Sequence, residues 1–196
     1  MKKYKVIYID SPWTYKDKAR AGERGVEYKY KTMKINDIYN LPIYDLADKD
    51  CFLFSWTTWP LLENGIEAIK RWGFKYKTIG FNWIKTNSKN HETLFWGGGS
   101  YSRANSEICL MGVKGKPKRV AANIHSVVVS PHPGKKKEDH SRKPNEVRDR
   151  IVRLAGDVPR IEIFAREVFD GWDCFGDHED VISSPNFVDI FGGNLL

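Results

Sequence analysis

Cysteine is scarce in this chain of 196 residues, with three in all. Cys51, Cys109 and Cys174 are far apart and form no C-x-x-C pair, and neither they nor His125, His132 and His140 fall at metal-ligand spacing. A disulfide scaffold and a zinc module are therefore both set aside, and the expectation is buried, reduced thiols in a cytoplasmic protein with no metal. Long apolar runs are missing as well. The stretch after Met-Lys-Lys is broken by Lys5 and stops at Asp10, too short for a signal peptide, and nothing approaches membrane-spanning length. Internal repeats and low-complexity tracts are absent. Gly97, Gly98 and Gly99 lack the strand-to-helix setting of a phosphate cradle and are expected to act as a flexible hinge.

What remains is a globular composition, 41% hydrophobic, 13% aromatic and 29% charged, of a length that suits one domain. The formal net charge of +7 is concentrated in Lys114 to Arg119 and Lys135 to Lys143. A surface of that kind suits a polyanion, although a merely well-solvated basic surface reads the same way.

Apolar runs predict strands at Tyr4 to Asp10, Cys51 to Trp56, Tyr76 to Lys85, Ile108 to Val113, Ser126 to Val129 and Arg160 to Phe164. Pro60 and Gly73 bracket one helix, with Leu62, Ile66 and Ile69 as its buried stripe. Pro144 and Gly156 bracket another, with Val147, Ile151 and Leu154 on one face. Both follow the usual order, proline just inside the start and glycine just past the end. A short helix is expected at Lys34 to Asn40, and the polar segment from Thr14 to Lys29 suits a lid. This alternation predicts a single α/β domain over 1–180 with a mostly parallel sheet flanked by helices, followed by a tail over 181–196. In such a sheet ligands gather at the carboxyl ends of the strands.

The tetrapeptide Asp10-Ser11-Pro12-Trp13 stands where the first strand ends. Proline fixes its own φ and holds the preceding residue extended, so the Asp10 carboxylate and the Ser11 carbonyl can be aimed in fixed directions. Two acceptors beside an indole suit a planar base bearing an amino group. An ordinary strand-to-loop turn with a packed tryptophan would carry the same residues.

More of the chain bears on that choice. Tyr30-Lys31-Thr32-Met33, Phe52-Leu53-Phe54-Ser55-Trp56, Trp72-Gly73-Phe74, Trp83-Ile84-Lys85-Thr86, Gly112-Val113-Lys114-Gly115, Ser141-Arg142-Lys143-Pro144 and Glu162-Ile163-Phe164-Ala165-Arg166, ending in Gly171-Trp172-Asp173, follow the tetrapeptide in this order. The set resembles the adenine methyltransferase superfamily typified by the catalytic subunit of the eukaryotic messenger-RNA adenosine methyltransferase, with its bacterial and phage DNA-modifying branch.

The resemblance implies a Rossmann-like fold that binds S-adenosylmethionine. It makes Asp10, Ser11, Pro12 and Trp13 the catalytic motif, with Asp10 on the target amine and beside the methyl donor. It puts Ile9, Asp10, Ser141, Lys143, Phe164, Arg166, Asp177 and His178 on the cofactor. It puts Trp13, Tyr30, Lys85 and Glu107 on the substrate, with Tyr30 in the gate loop, while the basic run offers Lys114, with its neighbours Lys116, Lys118 and Arg119 and with Lys135 to Lys137, for phosphate contacts. Two positions depart from the family pattern: Ser11 replaces the first of two prolines, and Asp177 stands where asparagine is usual. Serine adds a backbone donor and aspartate removes a side-chain donor, while both acceptors at residues 10 and 11 are kept.

The reading that follows is methylation of the exocyclic amine of adenine in DNA. RNA as substrate, and a noncatalytic nucleic-acid-binding subunit of the same fold, are the rivals. Nucleic acid is the expected partner, no membrane is expected, and a homo-oligomer is compatible with the chain.

Overall fold

The computed structural model describes residues 2–14, 32–99, 101–133 and 142–176. Among the described residues seven strands form one sheet: β1 Tyr4–Ile9, β2 Ala47–Thr57, β3 Lys75–Thr86, β4 Ser106–Lys114, β5 Val127–Pro131, β6 Arg160–Ile163 and β7 Asp173–Phe175. Their spatial order is β5-β3-β4-β2-β1-β6-β7. The pairings β1 with β2, β1 with β6, β3 with β5 and β6 with β7 are parallel, whereas β4 is antiparallel to both its neighbours. Six strands therefore run one way and β4 alone runs against them. That reversal matters for function, because it brings the start of β4 to the edge where the other six end.

The helices are α1 Ile35–Tyr39, α2 Ile43–Leu46, α3 Leu62–Arg71 and α4 Asn145–Ala155, with a 3-10 turn at Trp59–Leu61 ahead of α3. Each long helix stops where a glycine follows: Gly73 has φ of 77° and Gly156 has φ of 83°, a region that costs other residues a steric penalty. Neighbouring strands β1 and β2 are buried on both faces, as a covered parallel sheet requires. Ile7, Ile9, Cys51 and Leu53 pack with Ile38, Ala68 and Ile69 on one face. Val6, Tyr8, Phe52, Phe54 and Trp56 pack with Val147 and Ile151 on the other. All three cysteines are buried and none is in a disulfide. Among the described residues no helix is long and apolar enough to cross a membrane.

The second face also holds a buried ion pair. Arg148 of α4 donates from Nε and Nη2 to the two carboxylate oxygens of Glu162 on β6, 2.6 Å each, and its Nη1 reaches Asn145 Oδ1 at 3.1 Å. Burial disfavours the guanidinium, but these bonds to Glu162 more than offset it and raise the Arg148 pKa above its ordinary value. The guanidinium also lies 3.8 Å from the centre of the Phe169 ring. This pair pins the first turn of α4, and hence residues 142–144 just before it, to the sheet.

Glu162→Ala strands the guanidinium in that aromatic pocket, so the variant is expected to lose about 3–5 kcal/mol of stability, seen as a lowered urea midpoint. An unchanged midpoint would show that the pair holds nothing.

Candidate active site

At the carboxyl edge of the sheet, residues from four elements meet around one lysine. Asp10 follows β1, whose last residues pair with β2 and β6 and whose next amide, Asp10 N–H, is held by the Ile163 carbonyl at 3.4 Å. Lys143 sits just before α4, with its Nζ 2.8 Å from Asp10 Oδ2 and 3.4 Å from Glu107 Oε2. Glu107, the second residue of β4, also binds Lys85 of β3 through Oε1. The result is an alternating row, Asp10, Lys143, Glu107, Lys85. The Lys143 side chain is 6% exposed and that of Asp10 24%, so the carboxylate faces the opening and the ammonium lies beneath it.

Electrostatics follow from this order. Burial alone would raise the Glu107 pKa, but the ammonium groups of Lys143 and Lys85 win and hold it at about 2. The Cys109 thiol is pushed well above its usual value by burial and then by the Asp10 carboxylate, so it is not a nucleophile here. Lys143 Nζ also lies 5.5 Å from the Trp56 ring centre. Trp56 in turn donates from its indole to Tyr8 Oη at 2.6 Å.

The turn after Asp10 is fastened by the backbone. The Ser11 carbonyl accepts from Trp13 N–H at 2.9 Å, and the Pro12 carbonyl accepts from Met33 N–H at 2.8 Å. A carbonyl has a second lone pair, so Ser11 keeps acceptor capacity beside the carboxylate. Its hydroxyl is buried without a partner among the described residues, an unmet polar group that a ligand bound next to Asp10 would satisfy.

The predicted residues separate into groups. Asp10, Lys143, Glu107 and Lys85 are brought together, with Ser11, Ile9 and Phe164 at the same edge. Phe164 adopts φ of 62°, rare and costly for a residue with a side chain, at the point where the chain leaves β6. Arg166 follows two residues on. Trp13 does not offer an open stacking face: it is 4% exposed in the core and its indole donates to the Trp56 carbonyl at 3.2 Å. The tryptophan walls the turn instead.

Lys114 is not brought to this cluster. It ends β4 where Glu107 begins it, so roughly 20 Å of strand separates them. Its Nζ donates to the Ala47 carbonyl at 3.2 Å and covers the Tyr44 ring at 3.7 Å, at the start of β2. The adjoining Lys116 N–H binds Asp50, on the same far rim. The first basic run thus lies at the opposite edge of the sheet from Asp10. Tyr30, Ser141, Asp177, His178, the expected lid, Lys135 to Lys137 and the tail lie outside the described residues.

Sequence reasoning misses Trp56 as a wall beside Lys143 and the Arg148–Glu162 pin. A glutamate inside the apolar strand Arg160–Ile163 is the available signal for the second. Among the described residues no group of His, Cys, Asp and Glu could hold a metal ion. A cavity of about 280 Å³ lined by Asn123, Ile124, His125, Glu146, Arg150 and Arg153 shares no residue with the Asp10 cluster.

Chemically, two acceptors at Asp10 and Ser11 can grip the two hydrogens of one amine, with a fixed cation below that keeps the carboxylate in place. Because the Glu107 pKa is depressed in the fold, its contribution to stability is present above the ordinary value near 4.5 and is lost as pH falls through about 2. The stability gap between the wild type and Glu107→Gln should therefore narrow across that window in urea titrations. A gap constant from pH 6 to pH 2 would contradict the charge row.

The MT-A70 family model matches residues 4–178. The chain is 33% identical over 193 residues to the Type II methyltransferase M.MunI of Mycoplasma sp, a match covering 89% of this chain and 77% of that protein. It is 29% identical over 182 residues to the human N(6)-adenosine-methyltransferase catalytic subunit METTL3, covering 92% of this chain and 29% of that protein. It is 35% identical over 136 residues to the Arabidopsis thaliana N6-adenosine-methyltransferase non-catalytic subunit MTB, covering 65% and 17%. The chain thus spans most of the first relative and a minor part of the other two.

Proposed function

The chain belongs to the MT-A70 family, a methyltransferase family, and from that premise we propose that it transfers a methyl group from S-adenosylmethionine to the exocyclic amine of adenine in DNA. The observation that carries this reading is the partly exposed Asp10 carboxylate at the end of β1, held by the buried Lys143 ammonium.

An adenine amine is a poor nucleophile because its lone pair is delocalised into the ring. With one N–H donated to Asp10 and the other to the Ser11 carbonyl, the nitrogen is drawn toward tetrahedral geometry and its lone pair is aimed. Alignment of this kind lowers a barrier by up to about 7–11 kcal/mol, so no strong base is required. S-adenosylmethionine supplies a methyl group on a sulfonium, a carbon already primed for attack. Asp10 and Arg166, which follow β1 and β6, would help to hold it where the connection order of a doubly wound sheet leaves a crevice, and the family resemblance adds Ser141, Asp177 and His178, which lie outside the described residues. The buried, unmatched Ser11 hydroxyl fits such a polar ligand.

DNA is favoured over RNA by the breadth of the match to M.MunI. The match to MTB keeps a noncatalytic role as the second reading. Retention of Asp10 with its lysine partner counts against it.

The test uses purified protein, labelled S-adenosylmethionine and unmethylated DNA or RNA, followed by nucleoside analysis. Methylated deoxyadenosine is expected from DNA with the wild type and none with Asp10→Ala. Label on cytosine alone, or on RNA alone, would overturn the substrate assignment. Absence of any heat when S-adenosylmethionine is titrated into the protein would support the noncatalytic reading.

A further inference from the structure

The connection between β3 and β4, residues 87–105, returns at the same edge as Asp10. Its base is fixed: Lys85 N–H donates to the Asn105 carbonyl and Phe95 N–H to the Lys85 carbonyl, both at 2.9 Å. The Phe95 ring stacks on His132 at 4.2 Å between centres and 23° between planes, tying the connection to the end of β5. Higher up, Gly97 N–H donates to the Ala104 carbonyl at 2.6 Å, and Ala104 N–H to the Gly98 carbonyl at 3.3 Å. A Cβ on Gly97 or Gly99 would strike the Ala104 or Ser102 carbonyl, so these glycines let two backbone stretches pass at close range. The run is thus a packed turn, where the sequence suggests a hinge.

From this turn two large aromatics stand in solvent. Trp96 is 64% exposed and Tyr101 fully so. Burying a large aromatic side chain is favourable, and the chain leaves both of these out while stacking Phe95 on His132. Their exposed neighbours carry positive charge, Arg103 and Lys89, beside a single acidic residue, Glu92. The base of the turn is bonded to the backbone of Lys85, the end member of the row Lys85, Glu107, Lys143, Asp10.

We propose that Trp96 and Tyr101 form a stacking wedge that enters a DNA duplex and opens it beside the target adenine, so that the base can reach Asp10. This rests on the function proposed above and adds the means of access. A base inside a duplex is out of reach of the Asp10 carboxylate, and extruding it costs a few kcal/mol. Aromatic side chains inserted into the stack offset that loss by stacking on the bases left behind. Arg103 and Lys89 bind flanking phosphates. Among the described residues of this turn, Leu94 is the other large hydrophobic left exposed. A stable protein interface would need about 800 Å² of surface on each partner, so a duplex, whose stack accepts single rings, is the occupant this geometry suits.

The test compares methylation of unmethylated plasmid DNA as native duplex and after heat denaturation to single strands, for the wild type, the double variant Trp96→Ala/Tyr101→Ala and the conservative Trp96→Phe/Tyr101→Phe. The wedge predicts that the ratio of duplex to single-strand methylation falls by roughly tenfold or more in the alanine pair and recovers in the phenylalanine pair. An unchanged ratio overturns it. Equal loss on both forms, with a smaller particle by sedimentation, overturns it in favour of a contact between protein subunits. A wild type that methylates neither form overturns the function itself, and that arm is read separately from the ratio.

Discussion

A single ammonium group, Lys143, organises this molecule's working edge. It lies almost entirely out of solvent, and a cation in that position is stable only between partners of opposite charge. Asp10 and Glu107 provide them at 2.8 and 3.4 Å. Each reaches the lysine from a different part of the fold: Asp10 from the end of β1, Glu107 from the start of β4, Lys143 from the residues that enter α4. Were β4 parallel like the rest, Glu107 would sit on the far rim and the lysine would lose a partner. The one reversed strand is thus a requirement of the site.

The second face of the sheet serves the same end. The bidentate Arg148–Glu162 pair fastens α4 to β6, and Trp56 closes the space beside Lys143 while its carbonyl holds Trp13. Stability and chemistry share these contacts. The carboxylate that would grip an amine is positioned by its ion pair with the buried Lys143. Substrate access is handled separately, by the turn between β3 and β4, whose base adjoins the row at Lys85 and whose aromatics reach outward.

Much of this architecture is legible in the amino-acid sequence. The apolar runs locate β1 to β6, and the proline and glycine brackets locate α3 and α4, because those signals are local and steric. The motif at Asp10 is legible for the same reason: proline acts on its immediate neighbours. What stays hidden depends on pairing at long range. The short β7 and α2 carry too few residues to show a period. Lys114 belongs to the same strand as Glu107, which invites placing both in one site, but a strand sets its two ends on opposite rims. Trp13 suggests a stacking face, but its bridge to Met33 and the hold of the Trp56 carbonyl on its indole keep it in the core instead. Charge counting does not tell which rim carries which lysines.

The most direct test is a crystal structure of the protein with an adenine nucleotide and an unreactive S-adenosylmethionine analogue bound together. The account predicts the adenine amine within about 3 Å of both the Asp10 carboxylate and the Ser11 carbonyl, with Lys143 still bridging Asp10 and Glu107. An amine held by other groups, with the Asp10 carboxylate turned away from it, would contradict the account at its centre.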